Sequence, residues 1–261
     1  MRLVATTVGL ALLFVPTLAL ADRPSDETSG SIAKDVKDAI PNLAFAYTAG
    51  GVAKGTFGVQ AYGADPHAGG GSQESFLAGG GAIWASPIDR VTFVADASRN
   101  LTGNFTPSVA GIVRLVGPSS DGLTFGVLGK LKVEGFGAAP GGEMEAEAEV
   151  GLLLSGASAS WHGDLNAIAG FDADGGELDG EVRARLGRDL GRLVRLGIDG
   201  QVRYSAGRRS LPGGRAGDFI VGPQVLLGTS HFYASFTGGP STVGVPSSLG
   251  WASIIAIGGA T

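Results

Sequence analysis

The sequence predicts an all-β fold, an antiparallel up-and-down barrel of about twelve strands, and three observations predict it. Apolar and polar residues alternate along many short stretches, best seen in Gly122–Glu134, where Leu123, Phe125, Val127, Leu131 and Val133 interleave with Thr124, Lys130, Lys132 and Glu134. Such alternation puts apolar side chains on one face of a strand and charges on the other. The stretches are joined alternately by long and short connections. Glycine supplies 46 of 261 residues, well above the usual ~7%, with no collagen period or Gly/Ser linker to account for it. Strand glycines mark bends and close backbone approach, which a closed, curved sheet needs.

Residues 1–21 fit a secretory signal: Arg2, an apolar run from Leu3 to Leu20 interrupted by Pro16, and Ala19-Leu20-Ala21 before Asp22. Cleavage is expected after Ala21. The competing reading is an uncleaved anchor, since the run approaches bilayer-spanning length; the Ala-x-Ala site and the helix-weakening Pro16 favour cleavage. Residues 22–51 form a separate segment. In Ser31–Ile40, the four-residue spacing of Ile32, Val36 and Ile40 fits a short amphipathic helix stopping at Pro41. The segment fits a periplasmic lead-in or a plug in the barrel mouth, and Leu43–Thr48 could add a strand.

The barrel occupies 52–261, with strands expected at 52–63, 74–85, 90–98, 107–116, 122–134, 143–154, 157–170, 177–187, 193–206, 217–227, 231–238 and 249–259. Most approach the ~9–11 residues of a tilted membrane strand. Long connections (Ala64–Gln73, Arg99–Thr106, Gly135–Gly142, Phe171–Gly176, Gly207–Ala216, Gly239–Ser248) alternate with short ones (Ser86–Asp89, Gly117–Asp121, Ser155–Gly156, Arg188–Arg192, Gly228–Ser230). An even count returns both ends to one side.

Alternation alone does not say which face points inward. The apolar face is rich in small residues such as Ala95, Ala97, Ala146, Ala148, Gly180 and Ala184. A soluble twelve-strand barrel would need bulk there to fill its core, whereas a lipid-facing surface does not. Phe136, Phe171, Tyr204, Phe219 and Phe236 gather toward the long connections, and Trp84 and Phe232 toward the short ones, as interfacial rings do. From Val52 onward the chain therefore resembles the general class of Gram-negative outer-membrane β-barrels, which have short periplasmic turns and longer outer loops. Such proteins commonly end the closing strand on an aromatic residue; here the end reads Ile257-Gly258-Gly259-Ala260-Thr261.

Absence of cysteine excludes a disulfide scaffold, thiolate chemistry and cysteine-ligated metal. Loss of Arg2 takes 19 basic side chains to 18, against 24 acidic ones, and nothing suggests nucleic-acid binding. Glu143, Glu145, Glu147 and Glu149 share one strand face, and symmetric closure of Gly135–Gly142 sets Lys132 beside Glu145 and Lys130 beside Glu147. This row reads as a salt-bridged lumen wall or as a cation-attracting strip. Glu177, Asp179, Glu181, Arg183 and Arg185 repeat the idea, followed by Arg195, Asp199 and Arg203. Across the strands, eight basic residues, Lys54 and Arg114 included, face twelve acidic ones, among them Asp96, Asp164 and Asp218. Mixed rows suit a filled or narrow interior better than a single-sign ring.

Ser160, His162, Asp164 and Asn166 share another face, and barrel lipases use Ser, His and a third polar group. Their close His-x-Ser order is reversed here, and same-face neighbours are ~6.6 Å apart, too far for a nucleophile–base hydrogen bond. No catalytic residue is assigned, and His162 is read as a lumen residue near Glu147 or Glu149. His67, His162 and His231 are too dispersed for zinc. The Asp172–Glu177 run lacks EF-hand spacing and reads as a solvated turn. Arg208, Arg209 and Arg215 fit ordinary loop charge or contact with anionic lipopolysaccharide.

The expected function is an integral outer-membrane barrel with a charged lumen, a narrow passive channel or structural surface barrel without enzymatic activity. The alternatives are a soluble periplasmic barrel binding an apolar ligand and an outer-membrane lipid hydrolase. Expected partners are outer-membrane lipid and lipopolysaccharide, the barrel-assembly machinery during biogenesis, and small polar solutes. No cofactor or metal is expected.

Overall fold

The computed structural model describes residues 42–43, 46–49, 51–67, 77–100, 105–117, 122–135, 144–158, 160–172, 178–206, 217–229, 231–242 and 249–261. The leader, the Ser31–Ile40 helix, Phe136, Glu143, Glu177 and the Arg208, Arg209 and Arg215 cluster lie outside them.

A hairpin of two-residue strands, β1 (Asn42–Leu43) and β2 (Ala46–Tyr47), pairs only with itself, so Leu43–Thr48 adds no strand to the barrel. The barrel strands are β3 (Phe57–His67), β4 (Leu77–Ile88), β5 (Val91–Asn100), β6 (Phe105–Val116), β7 (Gly122–Glu134), β8 (Glu145–Ser158), β9 (Trp161–Asp172), β10 (Leu178–Asp189), β11 (Val194–Ala206), β12 (Gly217–Gly228), β13 (Phe232–Ser241) and β14 (Gly250–Ala260). Each pairs antiparallel with its neighbours in sequence, and β14 returns to β3, closing the sheet without a free edge. Connections at one end span two to five residues and at the other four to ten.

Three expectations about local structure are corrected. The first barrel strand begins at Phe57 rather than at residue 52, because the preceding residues turn inside the barrel. Lys54 accordingly sits exposed in a turn and is not a wall residue. Ser155–Gly156 is not a turn: both residues pair within β8, and the chain reverses between Ser158 and Trp161. Ser155 looked like a turn residue because it is small and polar, but its hydroxyl is used inside the barrel.

The outer face carries Val109, Val150, Leu152, Leu165, Leu186, Ile198, Ile255 and Ile257, all exposed, while Glu149, Asp164, Arg185, Arg195, Asp199, Gln224 and Thr237 are buried inside. Water would invert that arrangement, and a hydrocarbon surround explains it. The soluble, apolar-centred barrel is thereby overturned. Phe171, Tyr204 and Phe232 project outward near strand ends, but Phe236 lies in mid-strand and Trp84 points inward, 1% exposed. The Trp84 ring fits inside because its cross-strand partner is Gly58, where a Cβ would collide with it. Trp84, Ile112, Leu128, Leu153, Leu226 and Tyr233 form an apolar filling together with Tyr47, Ala49 and Val52 of the N-terminal segment.

Candidate functional site: the barrel interior

The interior polar groups form three bands. Toward the long-connection end, β7 and β8 bring Lys130, Lys132, Glu147 and Glu149 together. The Lys132 ammonium lies 2.8 Å from Glu147, 3.2 Å from Glu149 and 3.0 Å from Glu134, and that of Lys130 lies 3.2 Å from Glu149. On β10–β12, Arg183 pairs with Glu181, and Arg203 with Asp218 at 3.1 Å. All of these groups but Glu134 and Asp218 line a cavity of about 160 Å3, together with Asp179 and Gln201.

The observed register sets Lys132 opposite Glu147, Lys130 opposite Glu149 and Glu145 opposite Glu134, two residues along β8 from the expected closure. A one-residue slip would have turned every side chain to the wrong face, whereas a two-residue slip leaves the facing intact. Alternation therefore could not select between the two. The observed register seats Lys132 between two carboxylates.

In the middle band, Asp164 accepts hydrogen bonds from Ser155 Oγ at 2.6 Å and from Arg185 Nε at 2.8 Å, and Arg185 Nη2 also bonds it. Asp199, wholly buried, accepts from Gln224 Nε2 at 3.1 Å. At the short-turn end, Asp189 accepts from Arg195 Nε at 2.8 Å and lies 2.9 Å from His162 Nε2. His162 is thus far from Glu147 and Glu149. Antiparallel pairing sets it beside Ala157 and Gly187, while Glu147 pairs with Asp172 at the other end. Ser160 lies in the turn before β9, and the Asp164 carboxylate is held by Arg185 and Ser155. Among the described residues, no group of three or more potential ligands could hold a metal ion.

The sequence did not reveal the partner of this middle band. Residues 46–49 and 51–52 lie across the interior as a strap. The Tyr47 N–H donates to Asn166 Oδ1 at 2.7 Å while Asn166 Nδ2 donates to the Tyr47 carbonyl at 2.9 Å. The Ala49 N–H donates to Ser155 Oγ at 2.6 Å, Arg185 Nη2 to Thr48 Oγ1 at 3.2 Å, and the Val52 N–H to Thr92 Oγ1 at 3.0 Å. Gly51, at φ 61, turns the strap back toward β3, and a Cβ there would strike Thr92 Oγ1. The Arg183 guanidinium stacks 5.2 Å above the Tyr47 ring. Nothing in the sequence marked it, since Thr92, Ser155 and Asn166 stand on three separate strands, β5, β8 and β9.

No family model matches the chain, and no curated protein does. Among solved structures, the NanC porin superposes with a TM-score of 0.53 at 9% identity, covering 78% of this chain and 98% of that one. The fold is that of an outer-membrane porin. The COG4313 outer membrane channel from Pseudomonas putida F1 matches at TM-score 0.49 and 12% identity, covering 90% of this chain and all of its own. The KdgM porin, solved in complex with disordered oligogalacturonate, matches at 0.48 and 7%, covering 78% and 97%.

Proposed function

We propose that this protein is an exported outer-membrane barrel, with its signal cleaved after Ala21, that acts as a narrow passive channel for small polar solutes and performs no catalysis. The strap holds it nearly closed. The short-turn end faces the periplasm and the long-connection end the outside, in contact with lipopolysaccharide, as the loop asymmetry of such barrels implies. The observation that supports the reading is the strap's attachment to the wall: its backbone is held there by interior side chains rather than by pairing with barrel strands. A segment bound this way can leave without opening the ladder that closes the barrel.

Conductance in a planar bilayer tests it. Wild type should pass a small, weakly cation-preferring current, and a chain lacking residues 46–51 should pass one several-fold larger. Changing Glu145, Glu147 and Glu149 to Gln should remove the cation preference, because Lys130 and Lys132 then lose their neutralising partners; the effect should be strongest at low salt. Absence of current in wild type and deletion alike, with insertion verified by heat-modifiable gel mobility and carbonate resistance, would eliminate the channel. A structural surface barrel would then be left, which the apolar filling around Trp84 favours.

A further inference from the structure

We infer that the outer wall at the short-turn ends of β9 and β10 holds an anionic phospholipid, with its phosphate on Arg188 and Arg192 and an acyl chain in a shallow slot beside Trp161. This goes beyond the channel reading and stands whether or not the lumen conducts; with the short turns facing the periplasm, the lipid belongs to the periplasmic leaflet.

Among outward-facing strand residues with described side chains, two are charged, Arg99 and Arg188, and both are cations near strand ends. An arginine on a barrel's lipid face is costly at the midplane and tolerated at the interface, which is where headgroup phosphates lie. Arg188 is the cross-strand partner of Trp161, and its guanidinium carbon lies 5.6 Å from the centre of that ring, within reach of a cation–π contact. Stacking holds the guanidinium against the wall without spending its N–H donors. Among the described residues no carboxylate pairs with it. Its chain neighbour Asp189 faces inward, held by Arg195 Nε at 2.8 Å and 2.9 Å from His162 Nε2. Arg192, in the β10–β11 turn, is exposed and equally without a carboxylate among the described residues. Leu190 and Leu193 on either side of it are both more than half exposed, an apolar pair that seats the turn at the acyl boundary rather than in water. Two guanidinium groups on one hairpin suit a phosphodiester, whose oxygens accept from their forked donors.

The wall next to them has room for a chain. Gly156 and Gly163 are cross-strand partners on the outer face, two residues from Ser158 and Trp161. A Cβ on Gly156 would meet Leu123 Cδ1 at 3.8 Å, and one on Gly163 would meet Leu186 Cδ1 at 3.6 Å, so bare backbone floors a slot with a leucine on each side. The charge of the site selects the headgroup. A zwitterionic lipid brings an ammonium toward two cations, whereas an anionic one brings none.

Tryptophan quenching in a Trp251→Phe barrel reads the site, because Trp161 is then the ring open to lipid while Trp84 is sealed. The full-length protein is refolded into phosphatidylcholine vesicles containing an equal small fraction of phosphatidylglycerol or phosphatidylethanolamine with brominated acyl chains. Quenching should show phosphatidylglycerol favoured about fivefold, the factor that one arginine near an anionic lipid is worth. Arg188→Gln should bring the preference below about twofold and Arg192→Gln should lower it less, while Arg99→Gln, at the opposite end of the barrel, should leave it unchanged. Heat-modifiable gel mobility verifies that each variant is folded. Equal quenching by the two lipids in the Trp251→Phe parent, a preference that survives Arg188→Gln, or an equal loss in Arg99→Gln would overturn the site.

Discussion

The two halves of the barrel interior are built on different principles. From β7 to β12 the wall is made of ionised side chains that neutralise one another across the ladder, as Lys132 does with Glu147 and Arg185 with Asp164. From β3 to β6 and over β13 and β14 the inner face carries few charges; Tyr62, Trp84, Ile112, Tyr233 and Ile254 occupy the space instead. Their polar tips find neutral or lone partners, Tyr62 donating to Asp96 and Tyr233 to Gln60, each at 2.6 Å. The first wall is held by pairing and the second by volume. The strap lies mainly against the first, whose hydrogen-bonding groups can hold a backbone, and reaches the second at Thr92.

If this contrast is correct, deleting a polar partner should cost far more on the charged wall. Asp164→Ala leaves Arg185 buried without its hydrogen-bonded carboxylate and with only Asp199 nearby, and breaking such a pair costs up to about 3–5 kcal/mol; Tyr233→Phe, which removes one neutral hydrogen bond, should cost about 1 kcal/mol. Urea unfolding in lipid vesicles, followed by gel mobility, measures both. Equal costs would erase the distinction between the walls.

The next effect concerns the two faces of one sheet. Val127→Arg places a cation on the lipid side, at about 2–4 kcal/mol if it lies near the midplane. Gln201→Arg places one on the polar inner wall, opposite Arg183 but in a cavity also lined by Asp179 and Glu181, and should cost less than Val127→Arg because the added group stays among polar partners. The reverse order in the same assay would mean that the facing is wrong. A smaller effect tests the volume principle: Gly58→Ala drives a methyl into the Trp84 ring and should cost about 1–3 kcal/mol as overpacking. At Gly111, where nothing lies within 4 Å of an added Cβ, the same change should be neutral within about 0.5 kcal/mol. A tolerant Gly58 would show that the aromatic wall has slack.

Strand number, facing and hairpin order were legible in the sequence because a period of two is a property of single strands and survives without tertiary information. What it does not encode is any displacement by an even number of residues, and the β7–β8 register was misjudged by two for that reason. Trp84 was misplaced by a different route. An aromatic near a strand end suggests a membrane interface, but its parity with Ala82 and Ser86, together with Gly58 across the ladder, puts it inside. The partners of Ser155, Asn166 and Thr92 were illegible because they are backbone groups more than a hundred residues away in two of the three cases. A backbone amide leaves no signature in composition.

The placement of the three tryptophans has an optical consequence. Trp161 opens β9 at the short-turn end and Trp251 lies in β14 at the long-connection end, both about half exposed on the outer face, while Trp84 is sealed within. Quenchers attached at graded depths along lipid chains would extinguish the first two from opposite leaflets and leave the third glowing. The emission that remains would come from the ring packed in the same apolar cluster as Tyr47, Ala49 and Val52, so the chain carries its own dye for watching the strap leave.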